Sequence, residues 1–303
     1  MSVAEIEARE AALEPGSGGL WRDAWARIRR DRGALIGFAL VGLFVFVAIF
    51  APLLAPEDPR FQDLSRLGGS CCPGPSLDHW FGIDALGRDE LSRIIYGARY
   101  SLLIGVVSVA VGLSVGMVFG SIAGYIGGIV DSVIMRLTDI MLAIPGFLLA
   151  IGIVAMLGPG LVQIMVAVGV TQIPIFTRLM RGSILAQRDN DFILAARSIG
   201  VPRRAILSSH ILPNAISPVI VQATLALATA IIDVAALGFL GLGPQDPSTP
   251  EWGTMLTDTT RYLQTAPHLA IIPGVAIVIS VLGFNLIGDG LREALDPKMR
   301  GRG

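Results

Sequence analysis

Six apolar runs, each about as long as a bilayer is thick, decide what this chain can fold into. They lie at Gly33–Leu54, Ser101–Ile126, Asp139–Leu157, Leu161–Met180, Asn214–Leu240 and Leu269–Leu286. A helix rising 1.5 Å per residue needs about 20 such residues to cross the hydrocarbon core. The first run reaches about 33 Å and is expected to stay as an uncleaved anchor. With 53% hydrophobic and 16% charged residues, the composition leaves little room for a water-soluble core. The expected fold class is therefore an all-α membrane protein with six transmembrane helices.

The segments between the runs carry the polar chemistry. Residues 1–20 are acidic, with Glu5, Glu7, Glu10 and Glu14, and lack the apolar core of a signal peptide. A helix is expected up to Pro15, followed by a flexible Gly-Ser break at 16–19. Trp21 to Arg32 is basic and aromatic, as suits a helix lying on a membrane surface. The organisation expected is a segment at 1–32, an anchor at 33–54, a polar loop at 55–100, the main membrane unit at 101–290 and a tail at 291–303. Cys71 and Cys72 are adjacent, which excludes a metal spacing; they are two incidental thiols or a vicinal disulfide. Gly127 to Thr138 reads as a short polar turn. Leu157 to Gly160 closes runs three and four into a hairpin, and Pro145 and Pro174 are expected to kink them. With both termini inside, seventeen Lys and Arg fall in inner segments and six in outer ones, so the N-in, C-in arrangement is expected.

The second run carries small residues at every fourth position: Ser108, Gly112, Gly116, Gly120, Gly124 and Gly128. Such spacing lets helix backbones approach closely. A four-residue step overshoots one turn by about 40°, so the stripe winds around its helix. Two neighbouring helices are expected to share it.

The longest polar interruption in the second half is Gln187–Pro218. It reads as two short helices and an elbow. Asp189, Asn190 and Asp191 offer N-cap oxygens, Gly200 suits a left-handed C′ position, and Pro202 suits the first turn of a second helix. Arg203 and Arg204 open that second helix against the macrodipole, as residues facing an outside partner do.

This stretch resembles the EAA loop of ATP-binding-cassette importer permeases, matching it at Ala195, Ala196, Gly200, Leu212 and Pro213. Leu194 replaces the usual Glu, and His210 the usual Ile. The segment 77–102 is similar to the C-type membrane subunit of dipeptide and oligopeptide importers. It matches at His79, Phe81, Gly82, Asp84, Gly87, Arg88, Asp89, Ser92, Arg93, Gly97, Arg99 and Ser101. The segments 239–256 and 285–297 resemble the same subunit. The resemblance implies a type I importer permease fold in a bacterial inner membrane. It implies a coupling loop at 187–213, with Ala195, Ala196, Gly200, Arg203, Arg204, Leu212 and Pro213 facing an ATPase. The implied partners are a homologous B-type permease, two ATP-binding subunits, an extracytoplasmic peptide-binding protein and membrane lipid, with no nucleic acid. The implied cargo is a dipeptide or short oligopeptide, with glutathione or a nickel chelate as the alternative.

Lys298 is the only lysine, and Asp-Pro precedes it while Met299 follows, so no Walker A loop exists. ATP and its Mg are therefore expected on partner subunits, with no cofactor or metal in this chain. The three histidines sit in separate segments and no nucleophile–base motif occurs, which argues against an enzyme. A stand-alone secondary transporter would call for inverted repeats, and none is evident. Asp233 lies inside the fifth run, where a charge costs about 2.5–3.5 kcal/mol at mid-bilayer. It faces either a substrate cavity or a neighbouring helix's hydrogen-bonding group. Asn285 and Gln172 are the other polar candidates for a passage, and Gly112, Gly116, Gly120 and Gly124 are the candidates for helix packing.

Overall fold

The computed structural model describes residues 20–67 and 71–295. The helix expected before Pro15 and the basic tail beyond Leu295 lie outside the described residues. Ten helices carry the fold: α1 (Leu20–Ile28), α2 (Arg32–Ile49), α3 (Glu90–Ile126), α4 (Gly128–Ala143), α5 (Gly146–Leu157), α6 (Leu161–Arg188), α7 (Asp191–Ser198), α8 (Ser217–Leu237), α9 (Trp252–Thr259) and α10 (His268–Leu295). Five of them are long and apolar enough to cross a membrane, and α4 with α5, bent by 90° at Ile144–Pro145, counts as a sixth if the bent pair is one broken span. Backbone groups in lipid must be satisfied within the element, so helices are the natural solution for such runs.

The ends of the spans differ from the expected boundaries. The polar run before Ser101 is helical, so α3 starts at Glu90, where the Asp89 carboxylate caps it by accepting from the Ser92 amide at 2.8 Å. The expected turn at 127–138 is instead most of α4. Its acidic residues pair with α6: Arg181 binds Asp131 at 2.5 and 2.6 Å, and Arg178 binds Asp139 at 2.5 Å. Gly127, at φ 71°, turns the chain from α3 into α4. Pro145 does break its span, whereas α6 continues through Pro174.

The glycine stripe has one partner, not two. Gly112, Gly116, Gly120 and Gly124 all lie against α6, where Gln172, Phe176, Met180 and Ile184 repeat with the same four-residue step. A repeat longer than 3.6 residues winds a pair right-handedly, so α6 follows the stripe around instead of leaving it. Gly128 falls outside the seam, with nothing near its Cβ position.

The remaining spans pack on this pair. One core joins α3, α5, α6 and α8 through Ile104, Val154, Phe176, Met180 and Leu237. Helix α10 packs between α2 and α8: Gly283 and Gly290 meet α2, while Gly288 meets Leu225 and Thr224 of α8. Helix α1 tucks Ala24 and Ile28 against Ala34 and Ala294, leaving Trp25 outward with the Arg29 guanidinium 5.0 Å over its ring. That amphipathic division fits a surface helix at the end of the first span.

Candidate functional site

The bundle has two polar ends. One carries the elbow at 189–213 and the other carries a cap formed by residues 55–67, 71–89 and 241–267.

The elbow forms as its residues dictate. Ile199 caps α7, and Gly200 follows at φ 83°. The Gly200 amide donates to Arg197 O at 3.0 Å and the Val201 amide to Ala196 O at 3.1 Å, the bonding pattern of a Schellman motif. At the other end Asn190 is the N-cap through its backbone, while its side chain donates to Gln187 Oε1 at 2.9 Å. After Pro202, a helical turn at Arg203–Ala205 runs into a π-helix, Ile206–Ile211, and a further turn, Leu212–Ala215. Pro213 has no amide to give, which favours a widened register just before it.

The elbow is two-faced. Ile193, Ala196, Ile206 and Ile211 are buried in the main core with Met180 and Ile184 of α6. Leu194 (48% exposed) and Ile199 (81% exposed) point away from it. Ala195, Gly200, Arg203, Arg204 and Pro213 are exposed as well, while Leu212 is half-buried. Of the residues expected at this surface, only Ala196 turns fully inward. A push on the outer face therefore acts on residues packed into the spans. Tyr125, at the end of α3, donates to Arg203 O at 2.8 Å and ties the glycine-striped helix to the elbow. Nothing local in the sequence marks Tyr125 for this role beyond its place at the end of the stripe.

The three polar span residues separate. Gln172 is buried in the α3–α6 seam against Gly112. Asp233 is half-buried on α8, with no hydrogen bond or ion pair to another described residue. Gln222 and Thr229 stand 11 and 4 residues before it, within about 40° on the same helix face. Together they form a polar stripe along a partly covered face, with Thr229 exposed and Gln222 and Asp233 half-buried. Asn285 is half-buried on α10, in line with exposed Val278, Leu282 and Asp289.

The cap is built from charges that satisfy one another. Arg88 binds Asp84 at 2.6 Å and donates to Pro247 O at 2.5 Å, crossing from the first polar loop to the second. Arg93 binds Asp84 at 3.4 Å, and His79 binds Asp89 at 2.9 Å. Glu251 caps α9, accepting from Gly253 and Thr254 amides at 2.9 Å and from Ser101 Oγ at 3.2 Å. Complete burial pushes its carboxyl above the ordinary value, against the pull of those donors. Trp252 is fully buried on Gly97, where a Cβ would stand 2.6 Å from the indole. Cys71 and Cys72 form a disulfide, and Cys72 packs with Ala266 and Leu269. No group of three or more metal-ligating side chains occurs among the described residues.

A bundle of spans with a two-faced polar elbow packed into its core at one end suits a membrane transport component. The chain belongs to the family of binding-protein-dependent transport system inner membrane components, which matches residues 116–301. The N-terminal transmembrane domain of oligopeptide transport permease C matches residues 19–67. The chain is 48% identical over 281 residues to the dipeptide transport system permease protein DppC of Alkalihalophilus pseudofirmus, covering 92% of this chain and 90% of that one. It is 51% identical over 282 residues to the glutathione transport system permease protein GsiD of Salmonella typhimurium, covering 93% and 91%. Its fold is similar to an inward-facing structure of the MetNI methionine ABC transporter, with TM-score 0.56, 21% identity, and coverage of 67% of this chain and 96% of that one. The protein is a multi-pass inner-membrane protein.

Proposed function

We propose that this chain forms half of the passage of an importer for short peptides, driven by ATP hydrolysis on partner subunits. The observation that carries the reading is the two-faced elbow: its inner face is locked into the core, and its outer face offers uncovered Leu194, Ile199, Arg203 and Arg204. Such a lever suits a docked ATPase, and the chain has no Walker A lysine of its own. Two ATP-binding subunits would hold ATP and Mg. A homologous B-type permease would cover the polar stripe of Gln222, Thr229 and Asp233, leaving a wet passage between the two chains. The elbow end would face the cytoplasm with both termini, and the cap would face outward, where a soluble binding protein delivers cargo. The lysine and arginine distribution supports that orientation. The relatives named for dipeptide and glutathione transport share one cargo chemistry, the short peptide.

The test is ATP-driven uptake into proteoliposomes holding the complete complex and its binding protein, with labelled Ala-Ala and glutathione as cargo. Accumulation of either one supports the reading, and accumulation of neither removes it. In the same assay Asp233→Asn is expected to lower uptake per assembled complex for Ala-Ala but not for N-acetyl-Ala-Ala. An equal effect on both peptides would take Asp233 out of the passage.

A further inference from the structure

The cap holds an open cavity of about 460 Å³ lined by the first polar loop, the start of α3, α9 and the segment after it. That volume lies within the range of small-molecule sites. Asp84, Arg88 and Arg93 line it, but they are bound to each other and to Pro247. Two other charged wall residues are left over. Glu90 is 2% exposed, and its carboxyl makes no hydrogen bond or ion pair with another described residue, the Arg93 and Arg88 guanidinium groups acting on it only through space. Arg261 stands exposed at the cavity wall, equally without a partner among the described residues. A buried carboxyl without a donor is costly, and folding gains nothing from placing it there. Tyr262 adds an aromatic wall, and Cys72 packs into one apolar cluster with Tyr262 and Leu269, two lining residues.

Glu90 offers a carboxyl and Arg261 a guanidinium to one cavity. A ligand with a cationic and an anionic end would satisfy both. An extended peptide gains about 3.3–3.6 Å per residue, so the termini of a dipeptide or tripeptide lie at most about 7–11 Å apart. We propose that this cavity is a reception site for short zwitterionic peptides, with the peptide ammonium on Glu90 and its carboxylate on Arg261. This rests on the reading of the chain as a peptide importer. It adds a site on the capped end, separate from the polar stripe of α8. The peptide would meet it before entering the spans, and both ends of the cargo would be checked there.

Saturation-transfer NMR on the purified complex in nanodiscs, without binding protein, tests the site directly. Ala-Ala, its N-acetyl derivative and its C-terminal amide are the probes. Wild type is expected to bind Ala-Ala about tenfold more tightly than either blocked peptide, as the loss of one charge-assisted contact implies. Glu90→Gln should erase the preference over the N-acetyl peptide only, and Arg261→Gln the preference over the amide only. Arg261 is exposed and has no partner among the described residues, so its variant tests the site even if Glu90→Gln fails to assemble. Equal binding of all three peptides to wild type, or an Arg261→Gln complex that still rejects the amide, overturns the proposal. ATP-driven uptake of Ala-Ala, run alongside, separates the two readings. Uptake without end-dependent binding discards the cavity and keeps the importer, whereas end-dependent binding without uptake keeps the cavity and discards the peptide cargo.

Discussion

Filling the α3–α6 seam should separate the two helices that organise the bundle. A Cβ on Gly116 would stand 2.5 Å from the Phe176 Cβ and 2.9 Å from Ile173 O. On Gly120 it would stand 2.5 Å from Thr177 O and 2.7 Å from the Met180 Cβ. Carbon contacts settle at about 3.5–4.0 Å, so alanine at either position demands a shift of about 1 Å. Overpacking of that kind costs about 1–3 kcal/mol. Alanine recovers up to about 1 kcal/mol of helix propensity, so the net loss is small for alanine. Leucine adds three more carbons with no room and takes the cost to the top of the range, a factor of about 100 in a packing equilibrium. Gly42, with nothing within 4 Å of its Cβ position, is the control. The amount of complex recovered by affinity purification in mild detergent, and its melting temperature, report the effect. We expect Gly116→Leu and Gly120→Leu to fall well below wild type, Gly124→Ala to change little, and Gly42→Leu to match wild type. Wild-type recovery and melting of both Gly116→Leu and Gly120→Leu would refute the reasoning, because the seam would then be loose enough to absorb a side chain.

Two further outcomes are expected. Gly200 has φ 83° with open space around it, so only its backbone angle forbids a branched side chain. Gly200→Val should leave assembly largely intact and abolish substrate stimulation of the ATPase, while Gly200→Asn, which tolerates that angle, should keep most of it; normal stimulation in the valine variant would free the elbow from any coupling role. After replacement of Cys71 and Cys72, a cysteine at Ser248 should react with a membrane-impermeant thiol reagent in intact cells and one at Ser208 should not, and the opposite pattern would invert the orientation.

What the sequence determined by itself is what local physics fixes. Run length against bilayer thickness set the spans, because a backbone in lipid must bond within its own helix. The elbow was legible because Gly200 is the one residue type that enters a left-handed C′ position without strain, and Pro202 marks the restart. Tertiary structure decided whatever depended on partners far along the chain. Helix α4 runs through the expected turn, where Arg181, fifty residues on in α6, pairs with Asp131. The glycine stripe meets one helix because Gln172, Phe176, Met180 and Ile184 carry a matching step, and a wound pair needs no second neighbour. Glu90 and Arg261 share a cavity only because Arg88 reaches Pro247 and Trp252 seats on Gly97, drawing the two polar loops together. Hydrophobic length and backbone angles act within a few residues and can be read in order. Charge pairing and close packing act through space, between segments whose nearness no local pattern records.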